Sequence, residues 1–170
     1  MLSLLAAVAL AAAPDNAPRP GFVEVEVRDV VLLGDSYAVL LAPRNEAVLV
    51  PIFIGEAEGR AIALKLARKT PPRPLTHDLL DTVIQKLGGQ VVKIEIDDLR
   101  DETYLGKLVL KQGTKVSEVD SRPSDAIALA LRAGAPIHCA RKVIERAGVS
   151  AKDLERKMAA PAEPKPPVDL

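Results

Sequence analysis

The segment RPSDAIALALRAGAPI, Arg122–Ile137, decides the architecture. A Pro-Ser-Asp entry leads into an almost entirely apolar helix. Its tetrapeptide Ala126-Ile127-Ala128-Leu129 also stands at Ala61-Ile62-Ala63-Leu64, inside a helix expected from about Glu56 to Lys69. The two helices share what precedes them as well. FVEVEVRDV from Phe22 alternates Val23, Val25 and Val27 against Glu24, Glu26 and Arg28, and YAVLLA and AVLVPIFIG follow it. VVKIEI from Val91 alternates in the same way, with YLGKLVLK and KVSEVD after it. The expected fold is therefore α+β, with duplicated strand-strand-strand-helix halves. Short turns between the strands favour an antiparallel or mixed sheet.

Between the halves, Thr76 reads as the N-cap of an inserted helix whose stripe of Leu79, Leu80, Val83, Ile84 and Leu87 ends at Gly88-Gly89. PIHCAR and RKVIERAG read as a short strand and a helix, and Ser150 with Asp153 as a capping pair before a last helix, Ala151 to Met158. Residues 1–20 read as an export signal and linker, residues 21–149 as one domain, and residues 150–170 as a short helix with a disordered Pro-rich tail. The run Leu2–Ala13 is too short to span a bilayer but fits a signal's apolar region, so an exported or periplasmic protein is expected, with a cytoplasmic one as the alternative.

Composition excludes several classes. The 23 basic and 23 acidic residues cancel, so any nucleic-acid contact has to be local. With aromatics at 2% and no Trp, an extended base-stacking platform is disfavoured. The single Cys139 rules out a disulfide framework and a Cys-rich zinc site. GxGxxG, Walker and GxSxG motifs are absent, as is HExxH.

Two polar clusters remain. In VDSRPSD, capping alone accounts for Ser124 and Asp125, whereas Arg122 between Asp120 and Asp125 is either an ion pair pinning the turn or a phosphate fork. In RPLTHDLL, Arg73, Thr76, His77 and Asp78 repeat the arrangement. A neutral imidazole there can serve as general base or bind a metal. The carboxylates Glu56, Glu58, Asp97, Asp98 and Asp101 suit Mg²⁺ or Mn²⁺ better than zinc, although each is more often a solvated surface group.

The stretches LVPIFIGEAEGRAIAL, PPRPLTHDLL, IDDLRDETY and VDSRPSDAIALALRAGAPI, in this order and spacing, resemble the bifunctional nuclease domain family of bacteria and plants, across about Val23 to Gly148. The resemblance implies an α+β domain with a mixed sheet, homo-dimers or larger assemblies, and action on DNA and RNA. Positions matching the family pattern are Glu58, Arg73, Thr76, His77, Asp78, Asp98, Asp101, Asp120, Arg122, Ser124 and Asp125. Glu102, Tyr104 and Leu105 depart from it after DLRD, removing one ring, and Gly59 stands where a larger residue is usual.

The resulting expectation is a divalent-metal-dependent phosphodiesterase without a stable membrane span. It assigns His77, Asp78, Arg73 and Arg122 to catalysis, Glu58, Asp120 and Asp125 to the metal, and Thr76 and Ser124 to capping. A non-catalytic oligomeric binding or assembly module of the same fold is the alternative.

Overall fold

The computed structural model describes residues 16–33 and 36–159; the apolar run Leu2–Ala13 and the tail beyond Ala159 lie outside the described residues. Strands β1 (Phe22–Leu33), β2 (Ser36–Pro43) and β3 (Val50–Ile54) precede helix α1 (Glu56–Leu66). After α2 (Thr76–Lys86), strands β4 (Gly89–Arg100), β5 (Thr103–Gln112) and β6 (Lys115–Ser121) precede α3 (Pro123–Ala133). The short β7 (Ile137–Ala140), α4 (Arg141–Ala147) and α5 (Ala151–Ala159) complete the order.

One seven-stranded sheet runs β3-β2-β1-β7-β4-β5-β6. Its pairs are antiparallel except β4–β7, which is parallel, so the sheet is mixed and the α+β expectation holds. A parallel pair needs a crossover, and α3 supplies part of it between β6 and β7. Irregularities at Val27/Asp29, Val91/Lys93 and Ile96/Asp98 bend the two long strands. The Tyr104 hydroxyl on β5 donates to the Pro51 carbonyl on β3 at 3.0 Å, so the sheet curls until one edge strand meets the region of the other.

The core lies between this sheet and α1 and α3. Ala126 through Ala130 are fully buried, as are Ile62, Ile94 and Ile96. Fully burying such an aliphatic side chain is worth about 1.5–3 kcal/mol, and the alanines let α3 approach α1 closely. At Gly59 a Cβ would lie 2.4 Å from Cγ of Tyr37, so the ring of β2 takes the place of a side chain on α1.

Helix α2 departs from the expected packing. Leu79, Leu80, Val83 and Leu87 are all exposed, and only Ile84 of the stripe is packed against the core. Thr76 is the first residue of the helix and not its cap; Leu75 occupies the cap, and the Asp78 carboxylate accepts the Leu75 backbone N–H at 2.8 Å. Ser124 likewise is not the cap of α3: Arg122 is, Pro123 fixes the first turn, and no side-chain cap bond forms. At α5 the expected pair is present, with the Asp153 N–H donating to Ser150 Oγ at 3.1 Å.

On the sheet's other face, residues 16–21 form a strap. Lys93 Nζ donates to the Ala17 carbonyl at 3.0 Å, and Arg19 pairs with the fully buried Glu95. Glu95 also pairs with Lys93 at 3.2 Å, by charge and not through aligned hydrogen bonds. Among the described residues, no helix is long and apolar enough to cross a membrane.

Candidate active site

A cleft of about 820 Å³ opens where the first turns of three helices meet: Glu56 and Glu58 of α1, Thr76 and His77 of α2, and Arg122 with Asp125 at the start of α3. Free backbone N–H groups at helix starts and their dipoles make such a junction favourable for anions. Arg60 also lines it.

Four side chains form one network. His77 is buried, and its Nε2 lies 3.0 Å from Asp125 Oδ1. A carboxylate has no proton to give, so the ring donates through Nε2, and in the neutral form of the ring the lone pair is on Nδ1. Arg122 donates from Nε to Asp125 Oδ2 at 2.7 Å, and through its second terminal nitrogen to Asp125 Oδ1 at 3.1 Å and to Glu58 Oε1 at 2.6 Å. Partial burial pushes the Asp125 carboxyl up, but the bonds from Arg122 and His77 outweigh it and hold the group below its ordinary value of 3.8. The same carboxylates hold the Arg122 guanidinium firmly protonated.

Of the expected site residues, His77, Arg122, Glu58 and Asp125 come together here, and Thr76 lines the cleft beside them. Asp78 does not join them. Adjacent residues on an α-helix point about 100° apart, so Asp78 turns to α3, where its Oδ1 accepts from Arg132 Nε at 2.6 Å. Arg132, nearly buried, also donates to the Ala128 carbonyl at 2.8 Å and reaches that of Ala61, so it clamps all three helices. Its only sequence signal was a basic residue in the last turn of α3, which by itself reads as a partner of the helix dipole.

Asp120 is exposed on β6 opposite Lys107, and Arg73 is exposed in the α1–α2 connection; neither lines the cleft. Asp98 is tied to Lys142 at 3.0 Å and Arg100 at 2.8 Å, hydrogen bonds that bring its carboxyl down to about 2. Ser124 is buried.

The oxygen donors of Glu58 and Asp125 suit a hard divalent ion. The position between them is taken by the Arg122 guanidinium, and among the described residues no three His, Cys, Asp or Glu side chains converge as a metal site. As folded, the residues do not form a preorganised metal centre.

The Bifunctional nuclease domain matches residues 39–152, which takes in every member of this network. The chain belongs to the Bifunctional nuclease domain family. A Mycobacterium tuberculosis relative described as an uncharacterized protein is 40% identical over 124 residues, 73% of this chain and 74% of its own length. Bifunctional nuclease 2 of rice is 25% identical over 150 residues, covering 86% of this chain and 41% of the rice protein. Bifunctional nuclease 1 of Arabidopsis thaliana is 26% identical over 127 residues, covering 73% of this chain and 34% of the plant protein. The chain thus spans less than half the length of each of these two plant relatives.

Proposed function

We propose that the domain hydrolyses phosphodiester bonds of DNA or RNA. The observation that carries this reading is the His77–Asp125 contact of 3.0 Å beside Arg122, in a cleft built from three helix starts. Asp125 fixes the imidazole tautomer, and His77 Nδ1 takes a proton from the attacking water. The new P–O bond forms as the bond to the leaving oxygen breaks, and that oxygen takes its proton from the imidazolium or from solvent. Arg122 and Arg60 stabilise the charge gathering on the phosphoryl oxygens. Asp78, Arg73 and Asp120 take no part in these steps.

Charge balance favours help from a cation. Glu56, Glu58 and Asp125 face Arg60 and Arg122 in the cleft, which leaves one excess negative charge before a phosphodiester brings another. Mg²⁺ or Mn²⁺ would be held by Glu58 and Asp125 only after the exposed Arg122 side chain has left them; bound there, it would supply charge neutralisation.

The test is cleavage of single-stranded DNA and RNA by the purified chain with Mg²⁺, Mn²⁺ or EDTA. His77→Ala is expected to lower the rate by ~10²–10⁴-fold. Equal cleavage by the variant would remove the reading, and a rate indifferent to EDTA would remove the metal.

The exposed stripe Leu79, Leu80, Val83 and Leu87 favours assembly as well, with a second copy of this chain as its partner. Light scattering on a Leu79→Glu/Val83→Glu variant reads it: a wild type that is already monomeric would dismiss the idea.

A further inference from the structure

We infer that the cleft is the middle of a longer groove for single-stranded nucleic acid. Phe53 stacks a base on one flank, and Lys65 and Lys69 hold the backbone on the other. The inference takes its centre from the phosphodiesterase reading; its flanks rest on separate observations.

On one side, a hollow of about 400 Å³ is contiguous with the cleft through Arg122, which lines both, and Phe53 lines it as well. The Phe53 side chain is 65% exposed, on the edge strand β3. One exposed apolar residue is ordinary. This one is a flat ring in a hollow next to the group assigned to the phosphate, in a chain with only two phenylalanines. The other, Phe22, packs under the Arg19 guanidinium at 4.9 Å. A base can face Phe53 only when it is free of a duplex stack, so this flank selects single strands.

On the other side, a hollow of about 460 Å³ adjoins the cleft through Pro74 and Leu75, and Lys65 and Lys69 line it. From Gly59 to His77 the chain carries Arg60, Lys65, Arg68, Lys69 and Arg73 and no carboxylate, although the whole chain is neutral. Asp78 also lines this hollow but is bonded to Arg132, so the basic stretch leaves net positive charge beside the cleft, as a polyanion's backbone requires, and supplies the local contact that net neutrality demanded. The order of the hollows places the His77–Asp125 pair between the two flanks, where a strand lying along the groove presents an internal phosphodiester.

Binding is measured by fluorescence anisotropy with labelled 12-mers of dT and of rU and a 12-mer DNA duplex. The host is the full-length His77→Ala chain, or His77→Gln if alanine does not fold, so that the strands survive. Lys65→Glu/Lys69→Glu is expected to weaken both single strands at least ~10-fold and to flatten the dependence of log affinity on log salt by about 1.4 or more, at ~0.7 per phosphate contact. Phe53→Ala is expected to weaken them ~5- to 10-fold, the low end for a stacked base, and to leave the duplex unchanged. Lys152→Glu on α5 is expected to change nothing. Losses confined to dT or to rU support the groove and assign the nucleic acid. Single-strand binding indifferent to both flank variants, or lowered equally by Lys152→Glu, overturns it. Hydrolysis of bis(p-nitrophenyl) phosphate by the unaltered chain tests the central chemistry separately, so a dead cleft with an intact groove, or the reverse, is recognisable.

Discussion

Asp125→Asn separates chemistry from architecture more cleanly than any other change to the network. The side chain keeps its shape and loses its charge. In the wild type it accepts one bond from His77 at 3.0 Å and two from Arg122 at 2.7 and 3.1 Å. Arg122 is two-thirds exposed, so solvent screens its pair and the loss there is about 0.5 kcal/mol. The bond to the buried His77 weakens from charge-assisted to neutral, costing about another 0.5–1 kcal/mol. A total near 1 kcal/mol in urea unfolding at pH 7 is small.

The effect on rate is not small, because an amide can present its NH₂ to Nε2 and reverse the tautomer. Cleavage should fall by ~10²–10⁴-fold. Acid adds a second readout. A carboxyl held below 3.8 contributes stability that is complete above that pH and is lost as pH falls through its lowered folded value. The variant should therefore lose less stability than the wild type between pH 4 and pH 2. An Asp125→Asn protein that cleaves at the wild-type rate, or whose acid unfolding follows the wild type, would refute the role given to this carboxylate.

Three other substitutions test the scaffold. Arg132→Met strips Asp78 of its guanidinium; because Asp78 is about a third exposed, the cost is expected near 2 kcal/mol and not the 3–5 of a fully buried pair, read by chemical denaturation. Gly59→Ala drives a methyl into the Tyr37 ring and is expected to lower stability by about 1–3 kcal/mol, with thermal melting as the measure. Arg19→Ala leaves Glu95, fully buried, with Lys93 alone; a loss of about 2 kcal/mol and faster amide exchange in β4 are expected, and unchanged exchange would show that the strap does not hold the strand.

Period-two alternation was sufficient to find β1 and β4, because one face of each packs against helices whose alanine-rich sequence marks them as buried. It misjudged the other face. Lys93 and Glu95 look like the solvated side of VVKIEI, yet the strap formed by residues 16–21 buries both, a long-range event that no local pattern records. Glu58, His77, Arg122 and Asp125 could each be named from first-turn positions and motif neighbours. Their grouping could not. Sequence adjacency joined His77 to Asp78 and Arg122 to Asp120, whereas helix periodicity and the β6 pleat send those neighbours in different directions. His77 and Asp125 are 48 residues apart and meet because Arg132, itself overlooked, fastens α2 to α3.

The location of the site follows from the curl of the sheet. Helices α1 and α3 leave β3 and β6, the two outermost strands of the seven. In a flat sheet, at ~4.8 Å per strand, their starts would be separated by about six strand spacings, far beyond the reach of an arginine. Here Arg122 bonds Glu58 directly, and Tyr104 on β5 reaches Pro51 on β3. The bulges in β1 and β4 supply the bend, and the close fit of Ala-rich α3 against α1 holds the two starts together. Glu58, Arg122 and Asp125 are thus presented by elements whose positions the core fixes, His77 by a helix that Arg132 fastens to α3, and the Arg122–Glu58 bond is the point at which the two ends of the sheet report on each other. Any change that flattens the sheet should therefore disable the cleft before it unfolds the protein.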